Sequence, residues 1–124
     1  KTNLFLQMDI EGAEWSVLLN AERDTLRQFS QMCFEFHMWG PAQNVPAFAE
    51  VFSKIDQDFV CTHVHANNYC PARLGNVPRV MEVSYVRKDL VKVKEVDNRE
   101  YPTELDRANN KNAPDLKLSW WVKV

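Results

Sequence analysis

The chain has 124 residues, 45% of them apolar and 26% charged, with a formal net charge of −2. That length sets an upper limit of one domain. The weak charge excludes the electrostatic footprint of a nucleic-acid binder, and no apolar stretch reaches the roughly 20 residues of a membrane span.

The first element is an apolar run over residues 3–9, read as a strand that ends at Asp9. Asp9-Ile10-Glu11-Gly12-Ala13-Glu14 follows, then an amphipathic segment over 12–29 read as a helix. Trp15, Val17, Leu18, Leu19, Leu26 and Phe29 supply its apolar face at spacings near three and four. A second strand is expected over 31–37, ending in Glu35-Phe36-His37, before a break at Gly40-Pro41. A second helix is expected from Val45 to Ile55, with Pro46 in its first turn and Phe48, Val51, Phe52 and Ile55 on its apolar face.

A third strand over 58–65 carries His63 and His65, with Asn67-Asn68-Tyr69 just beyond. A loop containing Pro71, Gly75 and Pro78 leads to a fourth strand over 80–86. Strands that alternate with helices predict a mostly parallel sheet, and the missing helix before the fourth strand predicts an antiparallel final strand. Residues 90–124 form a polar tail closed by Trp120-Trp121, read as packing at the C-terminus.

The cysteines Cys33, Cys61 and Cys70 are odd in number and form no C-x-x-C pair. Free thiols are expected, and with them a reducing, cytoplasmic compartment. No signal peptide is visible. The chain opens at Lys1 and enters a strand almost at once, so an absent N-terminal half is expected. The edge of the strand at 3–9 would then be open to an upstream segment or a second copy.

The candidate chemistry lies where apolar runs stop at polar groups. A carboxylate at the end of a parallel strand can accept a proton, hold a hydroxyl or bind a cation, which singles out Asp9 and Glu11. For Glu11 the alternative is a role at the positive end of the following helix, and Glu14 is assigned that role. Strand alternation puts Glu35 and His37 on one side and Phe36 on the other. His63-Val64-His65 places two imidazoles on one face, good bases and good metal ligands. Asn67 and Asn68 can orient a substrate. Glu82, mid-strand in an apolar run, could face the same site or pair with a cation.

The spacing Asp9-x-Glu11-Gly12-Ala13-Glu14 resembles the central motif of FkbM-type methyltransferases. His63-x-His65-x-Asn67-Asn68, then Pro78 and Glu82, is similar to the later part of such chains. So is the tail pattern of Tyr101-Pro102, Leu105-Asp106, Asn109-Asn110, Pro114-Asp115 and Leu118. The resemblance covers residues 3–118. It implies an α/β, Rossmann-like class I methyltransferase domain, represented by its C-terminal half: three parallel strands, a terminal antiparallel strand and flanking helices. The implied reaction is S-adenosylmethionine-dependent methyl transfer to an oxygen, such as a sugar or polyol hydroxyl, on a small molecule or glycan.

On that reading Asp9 or His65 takes the hydroxyl proton, and Glu35, His37, Asn67 and Asn68 place the acceptor. A divalent cation bridging Asp9 with Glu35, His37 or His65 is compatible with these ligand types. Such domains anchor the cofactor on a glycine-rich turn after the first strand and an acid after the second. This chain has only Gly12, Gly40 and Gly75 and no G-x-G, so it is expected to hold the cofactor poorly alone. The alternatives are a non-catalytic interaction module and a metal-dependent hydrolase. The latter lacks an evident nucleophile, since neither Ser16 nor Ser84 stands in a G-x-S-x-G context.

Overall fold

The computed structural model describes residues 3–93 and 99–118. It is a mixed α/β structure in the order β1 (Leu4–Met8), α1 (Glu14–Asn20), α2 (Arg23–Leu26), β2 (Phe29–His37), α3 (Val45–Asp56), β3 (Phe59–Ala66), β4 (Arg73–Leu74), β5 (Val77–Pro78) and β6 (Val80–Arg87). Short 3-10 turns precede α3 at Ala42–Asn44 and follow β6 at Lys88–Leu90. The Trp120-Trp121 pair lies outside the described residues.

Four strands form one sheet in the order β1-β2-β6-β3. β1 pairs parallel with β2, and β6 pairs antiparallel with both β2 and β3. β1, β2 and β3 therefore run the same way, as the sequence implied. The antiparallel strand, however, is inserted between the second and third rather than added beyond them. A small hairpin, β4–β5, fills the loop that the sequence left unstructured.

The sheet separates two kinds of side chain. Met32, Phe34, Phe36, Val64, Met81, Val83 and Tyr85 alternate onto one face and are buried. There they join Trp15, Leu18, Phe48, Val51 and Ile55 from the helices in one core. Trp15 is its centre, with ring centroids 4.9 Å from Phe36, 4.2 Å from Phe48 and 5.6 Å from Phe52. Burying such rings is the main favourable term in a domain of this size.

The other face is polar. The register places Glu35 opposite Glu82 and Glu82 opposite His65, and one step on places Cys33 opposite Ser84 and Ser84 opposite His63. The two histidines reach this face because β3 carries one extra residue, Thr62, between Cys61 and His63. A β-bulge of this kind reverses the side of every residue that follows.

Three sequence expectations need correction. The helix expected over 12–29 is two helices, broken at the extended residues Ala21 and Glu22. The cause is remote: Lys54 Nζ in α3 donates to the carbonyls of Leu18, Leu19 and Ala21 at 2.9, 2.6 and 3.2 Å, satisfying the end of α1. Phe29 therefore belongs to β2, and Val17, expected in the core, is exposed. Cys33 and Cys61 are free as expected but only half-buried, because each lies on a strand facing a cavity.

The segment 99–118 is not a loose tail. It crosses the polar face as a strap. Asn68 Nδ2 donates to the carbonyls of Asn110, Ala113 and Pro114, and Asn68 Oδ1 accepts from Asn110 N at 2.7 Å. The strap closes on itself where Leu118 N donates to Tyr101 O, and both side chains are buried. Among the described residues no helix is long and apolar enough to cross a membrane.

Candidate functional site

Because β1 and β2 are parallel neighbours, their carboxyl ends lie together. Asp9 follows the end of β1, and His37 is the last residue of β2. Glu35, two residues before His37, shares its face. Glu11 stands at φ 56°, a left-handed conformation uncommon outside glycine, and Gly12 follows at φ 100°. This double turn brings Glu11 back over the strand ends.

Glu14, assigned by the sequence to the helix start, is the buried support of this corner. It is fully buried and makes no helix cap. Its carboxylate instead accepts from Ile10 N at 2.9 Å and Gly12 N at 3.0 Å, and Oε1 lies 3.0 Å from His37 Nδ1. With both oxygens already accepting backbone N–H groups, Glu14 is the acceptor and Nδ1 carries the proton. Trp15 Nε1 donates to His37 O at 2.7 Å and holds the same residue from its backbone. His37 Nε2 therefore points outward, 3.6 Å from Glu11 Oε2, 3.6 Å from Glu35 Oε2 and 3.9 Å from Asp9 Oδ1.

Glu35 Oε1 accepts from Asn67 Nδ2 at 2.6 Å, and Asn67 Oδ1 in turn accepts from Tyr69 N at 2.9 Å. Burial raises the Glu35 carboxyl above its ordinary value, against the Asn67 hydrogen bond, and the adjacent Asp9 pushes it the same way through charge and a carboxyl–carboxyl hydrogen bond. Asp9 and Glu35 thus form a carboxyl pair in which Glu35 is held above its ordinary value.

Asp9, Glu35, His63, His65, Glu82 and Asp106 line one cleft of about 460 Å³ on the polar face. At its far side the histidines are occupied. His65 Nδ1 lies 2.9 Å from Glu82 Oε2, and Nε2 lies 3.0 Å from Asp115 Oδ2. The Glu82 hydrogen bond outweighs burial and lifts the His65 pKa to about 9, with Asp115 adding to it. His65 is a cation at neutral pH, with both ring nitrogens engaged by acids. His63 Nε2 lies 2.7 Å from Asp106 Oδ1. Burial pushes the Asp106 carboxyl up, but hydrogen bonds from Thr103 and His63 outweigh it and hold it low. Glu82 also accepts from Asn109 Nδ2 at 2.6 Å.

The structure therefore gathers Asp9, Glu11, Glu35, His37 and Asn67 in one corner and sets His65 at the opposite wall of the cleft. Asn68 lies outside it, holding the strap. Glu14, Asp106, Asn109 and Asp115 complete these arrangements. Glu14 is marked in the sequence only as the last residue of the Asp9-x-Glu11-Gly12-Ala13-Glu14 motif; as an acid in a first helical turn it is ordinary.

The glycines supply no cofactor cradle. A Cβ at Gly12 would make an ordinary contact with the Trp39 ring at 3.5 Å, and one at Gly40 would lie 2.5 Å from Asn44 Nδ2, so Trp39 flanks the first position and Asn44 fills the space at the second. Gly75 turns the β4–β5 hairpin. The described residues thus build an acid and histidine corner, and their glycines offer no cradle for a nucleoside-bearing cofactor.

Together these features define an α/β protein whose co-directional strands deliver acids and a histidine to one end of the sheet. The family model of the methyltransferase FkbM domain matches residues 4–70, more than half of the chain. The chain belongs to that family, whose class of chemistry is methyl transfer. The matched span contains Asp9, Glu11, Glu14, Glu35, His37, His65, Asn67 and Asn68, and ends before β6 and the strap. No curated protein and no solved structure gives a significant match.

Proposed function

We propose that this chain is the acceptor-binding, C-terminal half of a Rossmann-like class I methyltransferase domain. It acts on an oxygen acceptor such as a sugar or polyol hydroxyl, on a small molecule or glycan. The fold reading is supported by three co-directional strands with one antiparallel strand among them. S-adenosylmethionine is the expected donor, held by elements other than the described ones, since the glycines here leave no cradle.

The observation that carries the reading is the Asp9–Glu35 carboxyl pair at the mouth of a polar cleft. Methylation of a hydroxyl needs a group that takes the proton as the oxygen becomes nucleophilic. Asp9, the half-exposed partner of the pair, accepts that proton. Glu35 and Asn67, hydrogen-bonded together, offer a donor and an acceptor to a neighbouring hydroxyl of a polyol. On the far wall the cationic His65 is held between Glu82 and Asp115, which fixes that side of the cleft.

The test is transfer of a labelled methyl group from S-adenosylmethionine by the complete protein to a panel of polyol and sugar acceptors. Asp9→Asn is expected to lower kcat by about 10²–10⁴-fold, the usual contribution of a positioned base. Full turnover in that variant would remove Asp9 from the chemistry.

A further inference from the structure

Oδ1 of Asn109 is buried and has no hydrogen-bond partner, the one such side-chain atom among the described residues. A buried acceptor left unpaired is rare and destabilising. The amide is not turned the wrong way round. Its Nδ2 donates to Glu82 Oε1 at 2.6 Å, a bond that only the nitrogen makes to a carboxylate. Asn109 also lines the polar cleft of about 460 Å³ whose lining includes Asp9 and Glu35.

The cleft around it is rich in acceptors and poor in free donors. Asp9, Glu35, Glu82 and Asp106 all bring carboxyl groups to its lining. The two histidines are already engaged by acids, His63 by Asp106 and His65 by Glu82 and Asp115. Cys33 and Ser84 are hydrogen-bonded to each other. A complementary ligand therefore brings its own donors, and a phosphate or carboxylate on it would meet like charge.

We propose that Asn109 Oδ1 accepts a hydroxyl hydrogen from the ligand of this cleft, and that this ligand is a neutral polyhydroxylated ring, a sugar unit or cyclitol without phosphate or carboxylate. The torsion that turns an asparagine amide is soft, so a small rotation brings Oδ1 to the cleft while Nδ2 stays on Glu82. The cleft volume falls in the range of small-molecule sites. The inference deepens the acceptor reading and rests on it for the fate of the ligand as methyl acceptor, not for its binding. It makes the strap a specificity element. Asn109 lies beyond residues 4–70, the span that the family model matches, so the contact that selects the ligand stands outside the part that defines the family.

The experiment is saturation-transfer NMR on the protein with no methyl donor present. The probes are methyl glycosides of neutral hexoses and pentoses and neutral cyclitols, each beside its phosphate or carboxylate counterpart. At least one neutral compound is expected to bind, and its anionic counterpart about tenfold or more weakly. Among its monodeoxy derivatives, at least one should bind about tenfold more weakly to the unaltered protein, the scale of one hydrogen bond, and as well as the full compound to Asn109→Ala. A purely structural role for Asn109 would weaken all the derivatives alike. Asn112→Ala, which alters an exposed amide of the same strap, should keep the discrimination. In the unaltered protein the resonance of the Asn109 side-chain NH₂ should shift when the compound is added, a readout that does not require the variant to fold.

Anionic counterparts that bind as tightly as the neutral compounds would overturn the proposal. So would a panel in which no neutral compound binds at millimolar concentration, an Asn109→Ala protein with unchanged discrimination, or an Asn109 NH₂ resonance that stays in place. If a neutral ring binds with this dependence on Asn109 but the complete protein transfers no methyl group to it, the site stands and the acceptor reading falls. If methyl transfer to a polyol proceeds with kcat and KM unchanged in Asn109→Ala, the acceptor reading stands and this inference falls.

Discussion

Oε1 of Glu14, the first residue of α1, lies 3.0 Å from Nδ1 of His37, the last residue of β2. One contact joins the first crossover to the end of the second strand. It also decides which face of the imidazole meets Asp9 and Glu35. Glu14→Gln keeps the shape but replaces one acceptor oxygen with an NH₂ group. That group would then face backbone N–H groups or the protonated Nδ1. Leaving such buried donors unsatisfied costs about 1–3 kcal/mol. Chemical denaturation should show a loss of that order with an unchanged denaturant slope. A fully stable Glu14→Gln protein would mean that the carboxylate is dispensable to the corner.

The Glu82–His65–Asp115 chain makes stability depend on alkaline pH. His65 has its folded pKa raised from 6.5 to about 9. A raised pKa means that the folded state binds the proton more tightly. The stabilisation is complete below about pH 6.5 and is lost as pH rises through about 9. Glu82 is shifted the other way, mainly by its hydrogen bond to His65, so its contribution fades as pH falls below the ordinary carboxylate value of 4.5. Thermal melts from pH 6 to 10 should fall in the parent protein and flatten in His65→Gln. Parallel curves for the two would count against this pairing.

Asn68→Ala is expected to free the strap without unfolding the sheet. Asn68 supplies four hydrogen bonds to residues 110–114 and none to the core strands. Local opening has its own free energy, separate from global unfolding. Limited proteolysis should cut within 99–118 much faster in the variant, while the β2 and β6 amides keep their exchange protection. Uniform loss of protection would show that the strap is part of the core's cooperative unit.

β1 is an edge strand, with Leu4 and Phe5 exposed and no strand partner on its outer side among the described residues. An open apolar edge templates further pairing. Sedimentation of residues 1–124 should show concentration-dependent self-association, and Phe5→Lys should reduce it. A monomer at high concentration, unchanged by the substitution, would remove β1 as an association site.

Much of this fold is legible in the sequence because it is written in short periods. Phe34 and Phe36 alternate with Cys33, Glu35 and His37, and that alternation alone predicts which side chains are buried. The apolar face of α3 is equally local. The missed features all depend on partners far along the chain. The break after α1 is made by Lys54, more than 30 residues away. The tail reads as solvated because the partners that fix it to the sheet are remote; its acids and amides meet His63, His65 and Glu82 across the sheet. Residue type likewise pointed to His65 as a base, whereas its charge state is set first by Glu82 and then by Asp115, 17 and 50 positions on. The corner of Asp9, Glu35 and His37 could be seen as three strand ends, but Glu14 at its centre could not.

The single unpaired step at Thr62 leads further. Were Thr62 kept but paired opposite Ser84, His63 and His65 would turn toward Val83 and Met81, and Val64 would turn to water. Two imidazoles would be driven into an aromatic core, each losing its acidic partner. Deleting Thr62 itself should be tolerated, because His63 would still stand opposite Ser84 and every later pair is unchanged. A deletion of Val64, beyond the bulge, turns His65 toward Val83 and is expected to be more damaging than any single substitution along the same strand. Insertions meant for tagging or circular permutation belong instead at the Gly75-Asn76 turn, where the chain is exposed and a Cβ at Gly75 would meet nothing within 4 Å.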